Sequence, residues 1–310
     1  MSHGNEAMSL TPPEPLGLYA QLACLWEATA RKPGNVHRFQ DFEDVSYLDF
    51  VASAAAIAPV FDALASAASC ADELNVGAIV LHGVRQTRTV AKTNTNLGIL
   101  LLLAPLARAS MQIDLQVGAV QVLEQLTVHD AALVYDAINL ANPGGLGRVQ
   151  EQDVSQPPTQ TLRQVMALAA DRDLIAQQYT NGFQDVFLAG MPALIRGLNE
   201  SGALEDAIIA CHLHLLARFP DSLIARKCGN AIAQQASRRA ACVIDAGWPH
   251  TPRGQGALAE LDAWLRAAGH RRNPGTTADL VAACLFVALR QGMMHKLVQL
   301  PWSRKIAGQS

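Results

Sequence analysis

The sequence predicts an all-α fold, built as a single compact multi-helix domain, and three observations favour it. Half of the 310 residues are apolar, and many of these are Ala and Leu, which favour helices. Aromatic residues, which favour strands, make up only 5% of the chain. Several segments repeat apolar residues at helical spacing, and no strand pattern or internal repeat competes with them. The low charged fraction of 16% indicates that many of the helices are buried.

The N-terminal part divides into a leader and a first helix. Residues 1–15 are polar with three prolines, which predicts a disordered leader without the features of a signal peptide, and residues 16–310 form the domain. Apolar residues at helical spacing predict a helix over 16–31, ended by Pro33 and the glycine after it. Nearly every side of this helix is apolar or small. We therefore expect it to be central, with Glu27 buried or facing a cleft.

The remaining helices are predicted from apolar spacing and from Gly, Pro or capping residues at their ends. Residues 72–82 are an apolar segment, followed by a polar stretch over 83–96. Pro59 is expected to break one helix, Pro105 to kink or end another, and Thr127 to cap a third. The predicted helices span 46–69, 97–110, 127–142, 162–170, 173–198, 204–219, 223–246, 257–268 and 276–296.

Charge and cysteine content exclude several classes of protein. A net charge of −3 and a pI near 6.3 give no electrostatic footprint for nucleic acid or an anionic membrane. The most apolar run, residues 97–106, is too short to span a bilayer. Six cysteines without a CxxC pair argue against a zinc site and predict a reducing compartment, so we expect a cytoplasmic protein. The apolar content is high enough to supply apolar helix faces for a second copy of the chain, which is compatible with a homodimer.

Five loops between the predicted helices share a composition of Gly or Pro, Asn or Thr, and a nearby charge. Such loops at helix N-termini present free backbone N–H groups to an anion, and nearby Lys or Arg would complete a polyphosphate pocket. Carboxylates near them would suit Mg²⁺, which prefers oxygen ligands together with substrate phosphates. Each loop taken singly is equally well explained as a cap or a turn, and none matches a Walker or GxGxxG motif. The loops are 32–37, 92–98, 142–148, 221–227 and 273–279.

Three of these loops, taken in order, resemble the triphosphoribosyl-dephospho-CoA synthase family. The matching segments are Glu27 with Lys32-Pro33-Gly34-Asn35-Val36-His37 after the first helix, Thr93 to Leu100 opening an apolar helix, and Asn273-Pro274-Gly275 to Leu280 near the C-terminus. The resemblance covers residues 16–296. It implies an all-α transferase that binds ATP with Mg²⁺ and transfers its triphosphoribosyl group to the 2′-hydroxyl of dephospho-CoA. Adenine is released, and the new linkage is an α-riboside.

The resemblance and the loop composition together nominate site residues. Glu27 is the candidate general base or Mg²⁺ ligand, and it is grouped with Lys32 and Asn94 as catalytic. The candidate substrate-binding residues are Gly34, Asn35, His37, Lys92, Thr95, Asn96, Gly98, Arg148, Arg226, Lys227, Thr276 and Thr277. The candidate metal ligands are Asp136, Asp221 and Asp279.

One departure from the family pattern keeps alternatives open. Where common members have His-Lys, this chain has Asn96-Leu97, and residues 142–155 also differ. The chain is thus similar to a divergent branch found in organisms that use tetrahydromethanopterin in one-carbon metabolism. There the donor would be phosphoribosyl pyrophosphate and the acceptor a ribitol-bearing pterin. A non-catalytic helical binding protein that kept the fold is the third alternative.

Overall fold

A computed structural model describes residues 14–66, 75–109, 113–143 and 154–303, and its regular structure is almost entirely helical. The predicted all-α class is confirmed. Two π-helical turns, Val186–Gly190 and Leu289–Met293, and one four-residue strand, β1 (Ala267–His270), interrupt the helices. The helices are α1 (Leu16–Thr29), α2 (Tyr47–Ser66), α3 (Val76–Val90), α4 (Leu97–Arg108), α5 (Leu115–Glu124), α6 (Val128–Ala141), α7 (Leu162–Ala167), α8 (Leu174–Asn181), α9 (Met191–Ser201), α10 (Leu204–Arg218), α11 (Ser222–Cys228), α12 (Asn230–Asp245), α13 (Pro252–Arg266), α14 (Gly275–Ala288) and α15 (Met294–Gln299).

Helices α4 and α14 form the centre of the molecule. Both are apolar on every side, so each must be surrounded by other helices. All residues from Leu280 to Leu289 are completely buried, and most residues of α4 are buried with at most a few per cent exposure. Helix α14 packs against α1, α4 and α10, among others, and a second group of buried residues lies between α10, α12 and α13. The central position of α4 and α14 matters because their N-terminal ends carry two of the candidate loops.

Two helical stretches are long and apolar enough to cross a membrane on length and composition alone. One runs over Gly275–Gln299, and 72% of its most apolar window is buried, so its apolar character is accounted for by the protein core. The other covers Tyr47–Leu64 in α2 and is only 28% buried. The absence of a membrane partner therefore stays a prediction.

The structure corrects the predictions for α2 and α3. Pro59 does not break α2. Proline has no N–H to donate to the carbonyl of Ala55, but both residues are exposed, so that carbonyl faces solvent. The first half of the polar stretch over 83–96 is helical, since α3 continues to Val90. There Val84 and Thr87 are buried while their polar neighbours face solvent, an amphipathic pattern.

Glycines divide three of the long helices that the sequence predicts. Gly182, Gly229 and Gly292 adopt φ values of 67°, 92° and 80°, a backbone conformation that ends an α-helix and that glycine reaches without a Cβ penalty. The predicted helices over 173–198, 223–246 and 276–296 are therefore each two helices.

Capping residues account for two further boundaries. The predicted cap at Thr127 is confirmed, with Asp130 as its reciprocal partner in a capping box. Helix α5 is not among the predictions, although Asp114 caps it by accepting hydrogen bonds from two backbone N–H groups. At the predicted leader, Glu14 pairs with buried Arg290 at 2.6 Å, so the ordered chain begins before residue 16.

Candidate functional site

One cavity of about 1040 Å³ brings the three motif-bearing loops together. The loop after α1, the loop before α4 and the loop before α14 are far apart in sequence, and all three line it. Because α4 and α14 lie side by side in the core, their N-terminal ends open on the same space. The predicted site residues that line this cavity are Glu27, Asn35, Lys92, Asn94, Thr95, Asn96, Gly98, Arg226, Lys227, Thr276 and Asp279.

Glu27 reaches the cavity wall from the buried side of α1, and Lys32 holds it there. The Lys32 Nζ lies 2.8 Å from Glu27 Oε1 and also donates to the backbone carbonyl of Glu27. Lys32 has no exposed surface, and Glu27 is 4% exposed. An ammonium buried in this way needs a charged partner and hydrogen-bond acceptors. The Glu27 carboxylate is the partner, and the backbone carbonyls of Glu27 and Ala30 are the acceptors. Lys32 does not line the cavity, so the structure gives it the role of positioning Glu27.

Asp279 lies on the cavity wall directly against Gly98. A Cβ added to Gly98 would lie 2.6 Å from Asp279 Cγ and 2.8 Å from Ile175 Cδ1. Enclosure by protein atoms and the nearby charge of Glu27 raise the pKa of Asp279 well above its usual range, with smaller contributions from Asp221 and Asp173. Two carboxylates thus face one space at the N-terminal end of α4.

The residues behind the third loop form a buried hydrogen-bond network. Asp221 caps α11 by accepting from Ile224 N at 2.9 Å, and it accepts from Thr277 N and Oγ1 at 2.8 Å each. Ser222 Oγ donates to Thr276 Oγ1 at 3.0 Å. The network ties the N-terminus of α11 to that of α14. It leaves Asp221 fully buried and outside the cavity, which differs from its prediction as a metal ligand.

Hydrogen bonds fix the first loop against the third loop and against α13. Asn35 Nδ2 donates to Asn273 Oδ1 at 2.6 Å, and Gly34 N donates to Asp262 Oδ1 at 2.7 Å. Gly34 has φ +76°, and Leu265 Cβ would lie 2.8 Å from any Cβ added there, so the turn and the close approach both require glycine. Asn35 reaches the cavity, whereas Gly34 does not line it.

The second loop is held by its own polar side chains. Asn94 Oδ1 accepts from Leu97 N at 3.1 Å, Thr95 Oγ1 lies 2.7 Å from Ser53 Oγ, and Asn96 Oδ1 accepts from Thr87 Oγ1 at 3.0 Å. Leu97 is buried in the main core. The same residues therefore shape the N-terminus of α4 and line the cavity, and their predicted role in substrate binding stays a prediction.

The last turn of α11 places two cations, Arg226 and Lys227, on the cavity wall, and we call this wall the cationic side. Arg226 lies 3.5 Å from Asp173. Partial burial and the charge of Arg226 lower the pKa of Lys227. Two adjacent cations on a cavity wall create a positive potential that suits an anionic ligand. Arg88, Lys92 and Arg172 extend the set.

Four further nominated residues lie away from this cavity or outside the described chain. Asp136 is exposed on α6, and Thr277 is buried behind the third loop. His37, the last residue of the first loop, is half-buried and does not line the cavity. Its backbone contact explains the orientation of its ring, since Nδ1 accepts from Phe39 N at 3.3 Å. Arg148 lies outside the described residues.

Aliphatic side chains from α4, α6, α7 and α8 form an extension of the cavity that the sequence analysis missed. We call it the apolar lobe, and it is lined principally by Leu101, Val134, Ile138, Val165, Met166 and Ile175. In the sequence these residues have the spacing of ordinary core positions, so nothing distinguishes them from buried packing. Asp173 and Arg172, which also line the cavity, belong to no motif either.

In the part of the chain that the structure describes, metal ligands of the usual clustered kind are not found. No group of three or more His, Cys, Asp or Glu residues able to hold a metal occurs within 14–66, 75–109, 113–143 and 154–303. Mg²⁺, however, is usually bound by one or two carboxylates together with substrate phosphates. Asp279 fits that mode, because its carboxyl group lines the cavity beside Glu27.

Comparison with known proteins gives one consistent answer. Residues 13–296 match a family model described as CitG, ATP:dephospho-CoA triphosphoribosyl transferase. A curated relative from Pseudomonas syringae pv. tomato, named "Probable 2-(5''-triphosphoribosyl)-3'-dephosphocoenzyme-A synthase", is 31% identical over 144 residues, which cover 39% of this chain and 47% of that protein. A relative of the same name from Pseudomonas fluorescens is 30% identical over 111 residues, covering 36% and 38%. The chain thus spans about half the length, or less, of these curated relatives.

A solved structure agrees with the match. A crystal structure from Archaeoglobus fulgidus, described as a triphosphoribosyl-dephospho-CoA synthase, superposes with a TM-score of 0.58 at 28% identity. The superposition covers 78% of this chain and 99% of the archaeal one. The likeness therefore includes the overall arrangement of helices as well as short motifs.

Proposed function

This chain belongs to the ATP:dephospho-CoA triphosphoribosyl transferase family, and we propose that it transfers the triphosphoribosyl group of ATP to the 2′-hydroxyl of dephospho-CoA. The acceptor oxygen forms a bond to C1′ of the ribose of ATP. The bond from C1′ to N9 of adenine breaks, its electron pair leaves with the base, and adenine departs after gaining a proton. The hydroxyl proton of the acceptor passes to a base on the protein.

The observation that carries this proposal is the meeting of the three family loops at one cavity that holds both carboxylates and cations. Each loop alone is explained by capping or turn formation. Their convergence on a space of about 1040 Å³ is not required by capping. That volume is at the upper end for pockets that hold one drug-sized ligand, so it leaves room for a donor and an acceptor together.

Stereochemistry favours simultaneous binding of both substrates. ATP is a β-riboside and the proposed product is an α-riboside, so a single displacement with inversion accounts for the change. The acceptor then attacks the face of the ribose opposite to the leaving base. Holding the two in this geometry supplies a large part of the rate enhancement of a two-substrate reaction. Initial-velocity plots should accordingly intersect and should not run parallel.

Glu27 is the residue best placed to accept the hydroxyl proton. Its carboxylate is oriented by the buried Lys32 ammonium and lies on the cavity wall. A negative carboxylate near C1′ would also stabilise the oxocarbenium-like transition state of a glycosyl transfer. Lys32 acts through Glu27 as a positioning residue, because no part of it reaches the cavity.

The phosphates are assigned to the cationic side of the cavity. Arg226 and Lys227 would bind triphosphate oxygens through charge-assisted hydrogen bonds. Asp279, with Glu27 beside it, would hold Mg²⁺ together with those oxygens. When bound, the ion would supply positive charge that neutralises and orients the triphosphate.

The direct test is release of adenine from ATP, which we expect only when dephospho-CoA and Mg²⁺ are both present. Product mass should equal dephospho-CoA plus one triphosphoribosyl group. Glu27→Gln should abolish release, whereas Asp136→Asn, a change at an exposed carboxylate, should leave it intact. Absence of release together with absence of ATP binding would contradict the proposal. Phosphoribosyl pyrophosphate with a ribitol-bearing pterin serves as a parallel arm, motivated by the departure from the family pattern at Asn96-Leu97.

A further inference from the structure

The apolar lobe is a cavity wall made of side chains that would otherwise be packed core. Ile138, Val165 and Ile175 are half-buried, so each presents some apolar surface to the cavity. Leu101 and Met166 are 6% and 9% exposed. Four helices contribute to it, α4, α6, α7 and α8. Leaving apolar surface of this kind open inside a protein is unfavourable, and covering it with an apolar group is favourable. The lobe therefore suits an uncharged, apolar part of a ligand and disfavours phosphate.

The lobe begins next to the carboxylates. Gly98 is flanked by Asp279 and by the Cδ1 atom of Ile175, the first lobe residue on α8. At the same end of α8, Asp173 caps the helix and pairs with Arg226. The cationic side, the carboxylates and the lobe are thus neighbours around one helix end. A ligand that spans all three must be anionic at one end and apolar at the other.

We propose that the apolar lobe holds the purine ring of the donor, the base that the reaction expels. A nucleoside triphosphate has the required order of parts, with phosphates at one end, ribose in the middle and an uncharged flat base at the other. Its phosphates at Arg226 and Lys227 and its base in the lobe would bring C1′ to Glu27 and Asp279. This inference rests on the proposed function for its choice of substrate.

The other uncharged candidate is the pantetheine arm of the acceptor, and the lobe fits it less well. That arm carries two amides, each with a donor and an acceptor that lose their hydrogen bonds to water on burial. The purine ring has two apolar faces to lie against aliphatic walls, and its polar atoms all lie in the ring plane around its perimeter. An apolar lobe that accepts neutral adenine would also assist the reaction, because the leaving base stays bound in a site that suits its uncharged form.

The test uses free adenine as the probe, with pantetheine as the rival probe. Ala169 is half-buried and lines the cavity beside the lobe, whereas its neighbour Ala170 is equally half-buried and does not. Ala169→Phe should fill the lobe, and Ala170→Phe is the matched control. We expect Ala169→Phe to weaken adenine binding at least tenfold in titration calorimetry and to raise the KM for ATP, while Ala170→Phe changes neither.

Several outcomes would overturn the inference. Adenine binding that is unchanged in Ala169→Phe would do so, and so would loss of pantetheine binding with adenine binding retained. If Ala169→Phe fails to fold, as judged by its thermal transition, Val165→Phe fills the same lobe from α7. Failure of the proposed function can be distinguished from failure of this inference. If adenine binding depends on the lobe but no transfer occurs, the transfer reaction is refuted and the assignment of the lobe stands.

Discussion

The carboxylate of Asp279 lies against the α-carbon of Gly98, with no room for a Cβ between them. This contact joins the N-terminal ends of the two central helices, α4 and α14. It also brings Asp279 to the cavity wall, because a larger residue at position 98 would push the carboxylate away. The requirement for glycine at this position is therefore one of close approach, since its backbone conformation is ordinary for a helix.

Gly98→Ala should impair the site more than it impairs the fold. The added Cβ would lie 2.6 Å from Asp279 Cγ and 2.8 Å from Ile175 Cδ1, so the carboxylate and α8 must both shift. We expect adenine release to fall at least tenfold. The matched control is Gly256→Ala on α13, where a Cβ meets nothing within 4 Å and should stabilise the helix by up to ~1 kcal/mol. Equal effects of the two changes on activity would contradict the assigned role of Gly98.

Substitutions at the Glu27–Lys32 pair should affect the stability of the protein and its activity differently. Lys32→Met leaves a buried carboxylate without its partner, which typically costs about 3–5 kcal/mol of unfolding free energy. The double variant Glu27→Gln with Lys32→Met removes both charges and should recover part of that loss in denaturant unfolding. It should nevertheless remain inactive, because the base is gone. Recovery of activity in the double variant would show that Glu27 does not take the proton.

Charge at the cationic side should determine ATP affinity. Losing one charge-assisted hydrogen bond to a phosphate costs about 1.5–3 kcal/mol, which corresponds to roughly 10- to 150-fold weaker binding. Lys227→Met and Arg226→Met should each raise the Kd for ATP in this range and reduce its dependence on salt. Arg253→Met, at an exposed position on α13, is the control and should change neither. An unchanged Kd in both cavity variants would place the triphosphate elsewhere.

Much of the fold follows from the sequence because helix periodicity and capping are local signals. The spacing in α1, the capping box at Thr127 and the apolar run of α4 each determine their element with little help from the rest of the chain. Breaks at Gly182 and Gly229 were missed, since a glycine inside a helical pattern only becomes a helix end when packing selects a positive φ.

Cavity residues were predicted where they belong to a motif or to a loop of the shared composition. Glu27, Asn94 and Asp279 are examples of the first kind and Arg226 of the second, and all four line the cavity. The apolar lobe was not predicted, because Val165 and Ile138 have the spacing of packed core residues and only the folded structure shows that they line a cavity. Lys32 is the opposite case. It belongs to a motif, but its ammonium pairs with Glu27 inside the protein and does not line the cavity.

His37 should make the folded protein less stable as the pH falls from about 6.5 to about 4. Partial burial, together with the positive charges of Arg266, Lys32 and Arg31, lowers the pKa of His37 to about 4, and the charge of Asp262 only partly offsets this. The unfolded chain, with a pKa near 6.5, binds more protons than the folded chain in that window. Stability must then decrease as the pH falls through it. His37→Gln should flatten this part of the curve of Tm against pH, measured by calorimetry, whereas His129→Gln at an exposed position should not. A curve for His37→Gln that is parallel to that of the wild type between these two pH values would show that the imidazole is protonated in the folded state.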